Sequence, residues 1–213
     1  MIFNRRFSKL IYVASACMTF SGAALALEGT VVDKESGKPL EGVFVIAKWS
    51  GAAPNPVQAS TICLHGEMTI TDKQGRFTIS STSGNFNPLI GNRQRTVEIY
   101  KPGYQDSVET NVDELRFVIE PNRAAAADRF NEVFSTRAPA GCGMDEKQKV
   151  PFLKAKVQEL EPLATTREQK RELISAYFDA ESIELGEGEG SKRWEERMRK
   201  WKSDAGIVAA PFN

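Results

Sequence analysis

Cys63, His65 and Met68 lie close together in the chain, and Cys142 and Met144 form a second pair of soft donors far downstream. Thiolate, imidazole and thioether in one place would suit copper, the metal that tolerates soft sulfur beside nitrogen. Against that reading, Cys-x-His is not a specific metal spacing, and methionine more often fills gaps in a core than binds an ion. The same two cysteines have a rival chemistry. If the chain is exported, an even pair favours a disulfide, and a bridged cysteine is no longer a ligand.

His65 is the only histidine, which removes much catalytic chemistry. A zinc-peptidase site built from two histidines and a glutamate cannot be assembled. No Gly-x-Ser-x-Gly element stands ready to pair with His65 in a hydrolase triad. The acidic pairs Asp33/Glu35 and Asp179/Glu181 fall in a turn and a helix, where a solvated face is the default and nothing marks a glycosidase couple. Asp33-Lys-Glu-Ser-Gly37 lacks the ligand density of a calcium loop. Gly186-Glu-Gly-Glu-Gly190 would repel phosphate and is expected to be a flexible joint. The inventory predicts no catalytic residue, no cofactor and no enzyme. The metal set Cys63, His65 and Met68 stays as the alternative reading, that of a metal-handling protein of copper type.

The first 26 residues read as a leader. Arg5, Arg6 and Lys9 precede an apolar run, and Ala24-Leu-Ala26 offers the small side chains of a cleavage site, so the mature chain is expected to start near Leu27. The run is short for a transmembrane helix, which needs about 20 apolar residues. Val13-Ala-Ser-Ala-Cys17 faintly resembles a lipobox, but the sequence after Cys17 stays apolar, which argues against a lipid anchor. A periplasmic or secreted, soluble protein is expected. Without the leader, 25 basic residues face 28 acidic ones, a net of −3. That balance argues against nucleic acid, whose phosphates demand a basic excess.

Residues 27–121 read as strands. Val43, Val45, Ala47 and Trp49 alternate with Phe44, Ile46 and Lys48, a period of two. Phe77/Ile79, Val97/Ile99 and Phe117/Ile119 repeat the pattern. Asp33–Gly37, Asp72–Gly75 and Pro102-Gly103 supply turns. Ser50–Gly66 and Ser81–Gln94, rich in glycine, proline and polar residues, are expected to be long loops and the first places to look for recognition.

Residues 122–213 turn helical. Phe130, Val133 and Phe134 share one side of a first helix; Leu153, Val157, Leu160 and Ala164 follow in a second. Thr165-x-x-Glu168 has the pattern of a capping box for a third, which stops at Gly186. Ser191 is expected to cap a fourth, whose Trp194, Met198 and Trp201 stripe reads as core-facing.

The halves Gly29–Ala47 and Thr71–Ile79, each strand, acid-and-glycine turn and strand, together with Tyr100-Lys-Pro-Gly-Tyr104, resemble the carboxypeptidase regulatory-like domain of exported bacterial type. The resemblance covers about half the mature chain. It implies an α+β protein in which a transthyretin/Ig-like antiparallel β-sandwich precedes a C-terminal helical region. It also implies a Cys63–Cys142 bridge, since such members carry one cysteine just before the Thr-Asp-x-x-Gly-Arg-Phe element and another after the sandwich. The family is a scaffold that supplies no chemistry of its own. The expected function is a non-catalytic binding or assembly module of the cell envelope, with another envelope protein as partner.

Overall fold

The computed structural model describes residues 26–53, 60–79, 90–110, 115–136 and 142–204. The expected leader, including Cys17, lies outside the described residues except for Ala26.

Seven strands come first: β1 Leu27–Asp33, β2 Phe44–Ala52, β3 Thr61–Ile70, β4 Arg76–Ile79, β5 Gly91–Tyr100, β6 Ser107–Thr110 and β7 Leu115–Ile119. Four helices follow: α1 Ala126–Ser135, α2 Glu146–Leu163, α3 Arg167–Leu185 and α4 Glu187–Asp204. The strands form two sheets, β4-β1-β7 and β3-β2-β5-β6. The second is antiparallel throughout, but β7 runs parallel to β1, so the small sheet is mixed rather than antiparallel as expected. Alternation in a sequence sets the face of each side chain and leaves the neighbouring strand open, so this pairing had no local signal.

Val31, Val45, Trp49, Phe77, Ile99 and Phe117 are among the buried residues that both sheets send into one shared core. Acidic turns hold the strand ends in register. Asp33 Oδ1 accepts from the Ser36 backbone N–H and hydroxyl at 2.7 Å each, while Asp72 Oδ1 accepts from the N–H groups of Gln74 and Arg76 at 2.9 and 2.8 Å. These bonds hold both carboxyls below the usual carboxylate range, Asp33 chiefly through the Ser36 hydroxyl and Asp72 chiefly through the Arg76 backbone N–H. Gly75 closes the second turn at φ +68°.

The opposite face of β2 and β5 is also apolar, because Phe44, Ile46 and Tyr100 are buried there against Phe152 of α2. The Phe152 ring meets Phe44 and Tyr100 edge-on, with centroids 5.7 and 5.1 Å away. The other flank of α2 carries Val157 and Leu160, which join Phe130 and Val133 of α1 and Ala176 of α3 in a helical core. The second helix is thus shared between two cores.

Several local expectations change. Ser50–Gly66 is largely strand, since β2 runs to Ala52 and β3 begins at Thr61; residues 54–59 lie outside the described residues. Its glycines serve close packing, not looping. A Cβ on Gly51 would lie 2.4 Å from Ile90 Cγ2, and one on Gly66 would lie 2.8 Å from Cys142 Cβ. Of Ser81–Gln94, residues 81–89 fall outside the description, and Gly91–Gln94 begin β5.

The capping box is shifted by one residue. Thr166 accepts from the Gln169 N–H at 3.2 Å, and Gln169 Oε1 accepts from the Thr166 N–H at 3.0 Å. Glutamine serves as well as glutamate in this motif, and two adjacent threonines made the register ambiguous. Nor is Gly186–Gly190 a flexible joint capped by Ser191. Only Gly186, at φ +89°, leaves the helical path; α4 starts at Glu187, and Gly190 is buried because its missing side chain admits the Ser182 backbone, 2.7 Å from where a Cβ would stand.

Candidate functional site

The disulfide between Cys63 and Cys142 is formed, with Cα atoms 5.2 Å apart and a sequence separation of 79. It ties β3 to the segment that leads into α2, where Asp145 caps the helix by accepting from the Lys147 N–H at 3.0 Å. A bulge prepares this contact. Trp49 faces His65 but Ser50 faces Cys63, so Leu64 is an extra residue on β3. The shift turns Cys63 toward the face on which Gly66 receives Cys142 and the Met144 methyl.

This geometry separates the soft donors. The Cys63 sulfur is bonded to Cys142. His65 lies with its ring centroid 5.2 Å from that of Trp49 and its Nε2 4.0 Å from the Glu67 carboxylate. Met68 packs into the apolar cluster beneath α2. Met144 is buried over Gly66. Among the described residues, no group of three or more histidine, cysteine or acidic side chains is placed to hold a metal ion. The acidic pairs are likewise engaged separately. Glu35 meets Arg123, and Glu181 accepts from Arg197 Nη2 at 2.8 Å. Asp179 is pushed above the usual carboxylate range by burial, partly opposed by Lys156. The Trp194, Met198 and Trp201 stripe runs along α3 without entering a buried core. Trp194 stays 39% exposed against Phe178, and Trp201 Nε1 donates to the Arg167 carbonyl at 3.1 Å.

A charged cluster that the sequence did not announce joins the strands to the helices. Glu159 of α2 accepts from the Tyr100 hydroxyl at 2.7 Å, the Gly103 N–H at 2.9 Å and Arg129 Nε at 2.8 Å. Arg129 of α1 is buried to 4% exposure; its Nη2 also faces Glu159 at 2.8 Å, and its Nη1 faces both Glu132 at 3.2 Å and Asp106 at 3.9 Å. The Thr136 hydroxyl donates to Asp106 at 2.9 Å. Lys156 donates to the carbonyls of Phe134 and Thr136 at 2.8 and 2.6 Å, closing the end of α1. Burial raises the Tyr100 hydroxyl well above its ordinary value and the neighbouring Glu159 raises it further, so it remains a donor. Burial pushes Asp106 up to about 6, against the pull of Thr136 and Arg129. With three donors converging on Glu159, the cluster acts as a clamp between β5 and the helices. Its faint signal lay in placement: Arg129 abuts Phe130, and Glu159 stands between Val157 and Leu160.

Among the described residues, one face of the sheets remains open. On the outward face of the small sheet, Thr30 is in register with Arg76 on one side and Arg116 on the other, and Glu28 with Thr78. Arg76, Arg116, Thr78, Glu28 and Val118 are exposed. A groove of about 900 Å³ runs beside them to Ile70, itself 45% exposed. Arg76 pairs with Asp72 at 3.5 Å, whereas Arg116 has no ion pair among the described residues. No helix of the described residues is long and apolar enough to cross a membrane.

No family model matches this chain, nor does any curated protein.

Proposed function

We propose that the chain is a non-catalytic binding or assembly module of the cell envelope, exported to the periplasm or beyond and built as a transthyretin-like sandwich of the carboxypeptidase regulatory-like kind. The two sheets sharing one core, the acid-and-glycine turns and the disulfide support the fold reading. The disulfide also supports export, because such bonds persist in oxidising compartments.

One observation carries the functional reading. α2 buries the outward face of the larger sheet, while the outward face of the smaller one stays open beside a groove with an arginine on each side of Thr30. An exposed three-stranded face with polar, threonine-rich rows and two arginines suits a protein surface, since arginine is enriched where proteins meet.

Site-specific photo-crosslinking tests this. A crosslinker replacing Thr78 or Arg116 in the exporting cell is expected to yield a discrete adduct, and one replacing Lys200 on α4 is not. Adducts from Lys200 alone, or from none of the three, overturn the assignment. N-terminal sequencing of the exported protein tests the leader, with Leu27 expected within a residue or two and a diacylglycerol-modified Cys17 as the contrary result.

A further inference from the structure

Among the described residues, the junction between the larger sheet and α1 holds more acid than base. Arg129 is there the one guanidinium facing three carboxylates, Asp106, Glu132 and Glu159, at 3.9, 3.2 and 2.8 Å. Glu159 is fully engaged by Tyr100, Gly103 and Arg129. Glu132 is 40% exposed and shares its charge with water, and it also accepts from Asn122 at 2.9 Å. Asp106 is the member left short. It accepts the Thr136 hydroxyl through Oδ2, while Oδ1 is buried without a hydrogen bond and stands beyond bonding distance of Arg129. A buried carboxylate with an unfilled oxygen favours its protonated form, because ionisation there is poorly solvated.

We propose that Asp106 is a proton-operated latch between the segment joining β5 to β6 and the C-terminal end of α1, tightening when it takes up a proton and loosening when it loses one. The latch is independent of the binding surface on the smaller sheet. Its parts lie on both sides of one seam: Asp106 on the strand side; Thr136, Arg129 and Glu132 on the α1 side; and Glu159 and Lys156 on α2 behind them. Lys156 donates to the carbonyls of Phe134 and Thr136 and faces Asp179 of α3. Lys48 and Glu98, which line the same cleft as Asp106, are paired with each other at 2.7 Å. A proton on Asp106 removes one of the surplus negative charges from the seam and leaves the Thr136 bond in place. Loss of that proton sets Asp106 against Glu132 and Glu159 again.

The sign follows from the direction of the shift. Burial raises Asp106 from 3.8 to about 6, so the docked seam binds a proton that the opened one releases. Docking is therefore strongest below 3.8 and weakens as pH rises through about 6.

Hydrogen exchange of the α1 amides from Phe130 to Ser135, corrected for intrinsic exchange and measured on the oxidised protein, reads this equilibrium. Protection in the wild type is expected to rise about tenfold from pH 7 to pH 5, the change that linkage gives for this shift. Asp106→Asn is expected to be flat over that range, because its amide cannot ionise. Glu132→Gln is expected to keep the rise but displace it to lower pH, since a repelling charge is gone. A flat wild type, or an Asp106→Asn variant that keeps the slope, overturns the latch. Should Asp106→Asn fail to fold, Glu132→Gln decides alone, and an unmoved midpoint there is the overturning result.

Discussion

A β-carbon placed on Gly66 would stand 2.8 Å from Cβ of Cys142. The disulfide segment therefore lies directly on β3, and the bridge at Cys63 can close only because residue 66 has no side chain. Gly66→Val is expected to prevent that approach. The check is free-thiol counting after oxidative refolding, with two reactive thiols per molecule expected in the variant and none from Cys63 and Cys142 in the wild type.

Cys63→Ser and Cys142→Ser should each lose a similar amount of stability, and the double variant no more than either. A shared covalent link requires this equality, since the two residues act as a unit. For a 79-residue separation, chain entropy predicts about 4–5 kcal/mol. Denaturant melts of the three variants under identical conditions are the measurement, and additive losses would refute a common origin.

Gly75→Val should be more damaging than a surface glycine change. The residue sits at φ +68°, and a Cβ would meet the Val31 carbonyl at 2.5 Å and the Leu40 N–H nitrogen at 3.0 Å. Positive φ alone costs a β-branched residue on the order of 1–3 kcal/mol, and the backbone clash adds to it. Gly37→Val serves as the comparison, because Gly37 has the same sign of φ with open space around it.

Arg129→Ala should destabilise by about 3–5 kcal/mol, the usual cost of leaving buried carboxylate unpaired. Most of that loss reflects the missing guanidinium at Glu159, which would keep only Tyr100 and Gly103 as donors. Equilibrium unfolding of Arg129→Ala beside the double variant Arg129→Ala/Glu159→Gln checks the argument, with partial recovery expected in the second.

The α3–α4 hairpin should respond to acid in the opposite sense to the Asp106 seam. Hydrogen bonding by Arg197 first, and the charges of Arg197 and Arg193 after it, hold Glu181 below its ordinary 4.5. A lowered value means that its stabilisation is complete above 4.5 and is lost as pH falls through the folded value. Fluorescence of Trp194 and Trp201, which pack beside Phe178 and Arg167, should change below that pH in the wild type. In Glu181→Gln the same change should be absent.

The sequence by itself determined the faces of the strands and the sides of the helices. Val45, Phe77, Ile99 and Phe117 are inward, and Phe130 and Val133 are buried, because periods of two and 3.6 translate directly into faces. It also determined the acidic turns at Asp33 and Asp72, whose bonds span only a few residues. What only the tertiary structure decided are relations between residues far apart in the chain. The parallel β1–β7 pairing, the meeting of Gly66 with Cys142, and the gathering of Asp106, Arg129 and Glu159 at one seam depend on how finished elements pack. Local patterns carry no information about which charged side chain will lose its water when two cores close on either side of α2, and that loss of water is what makes the seam sensitive to a proton.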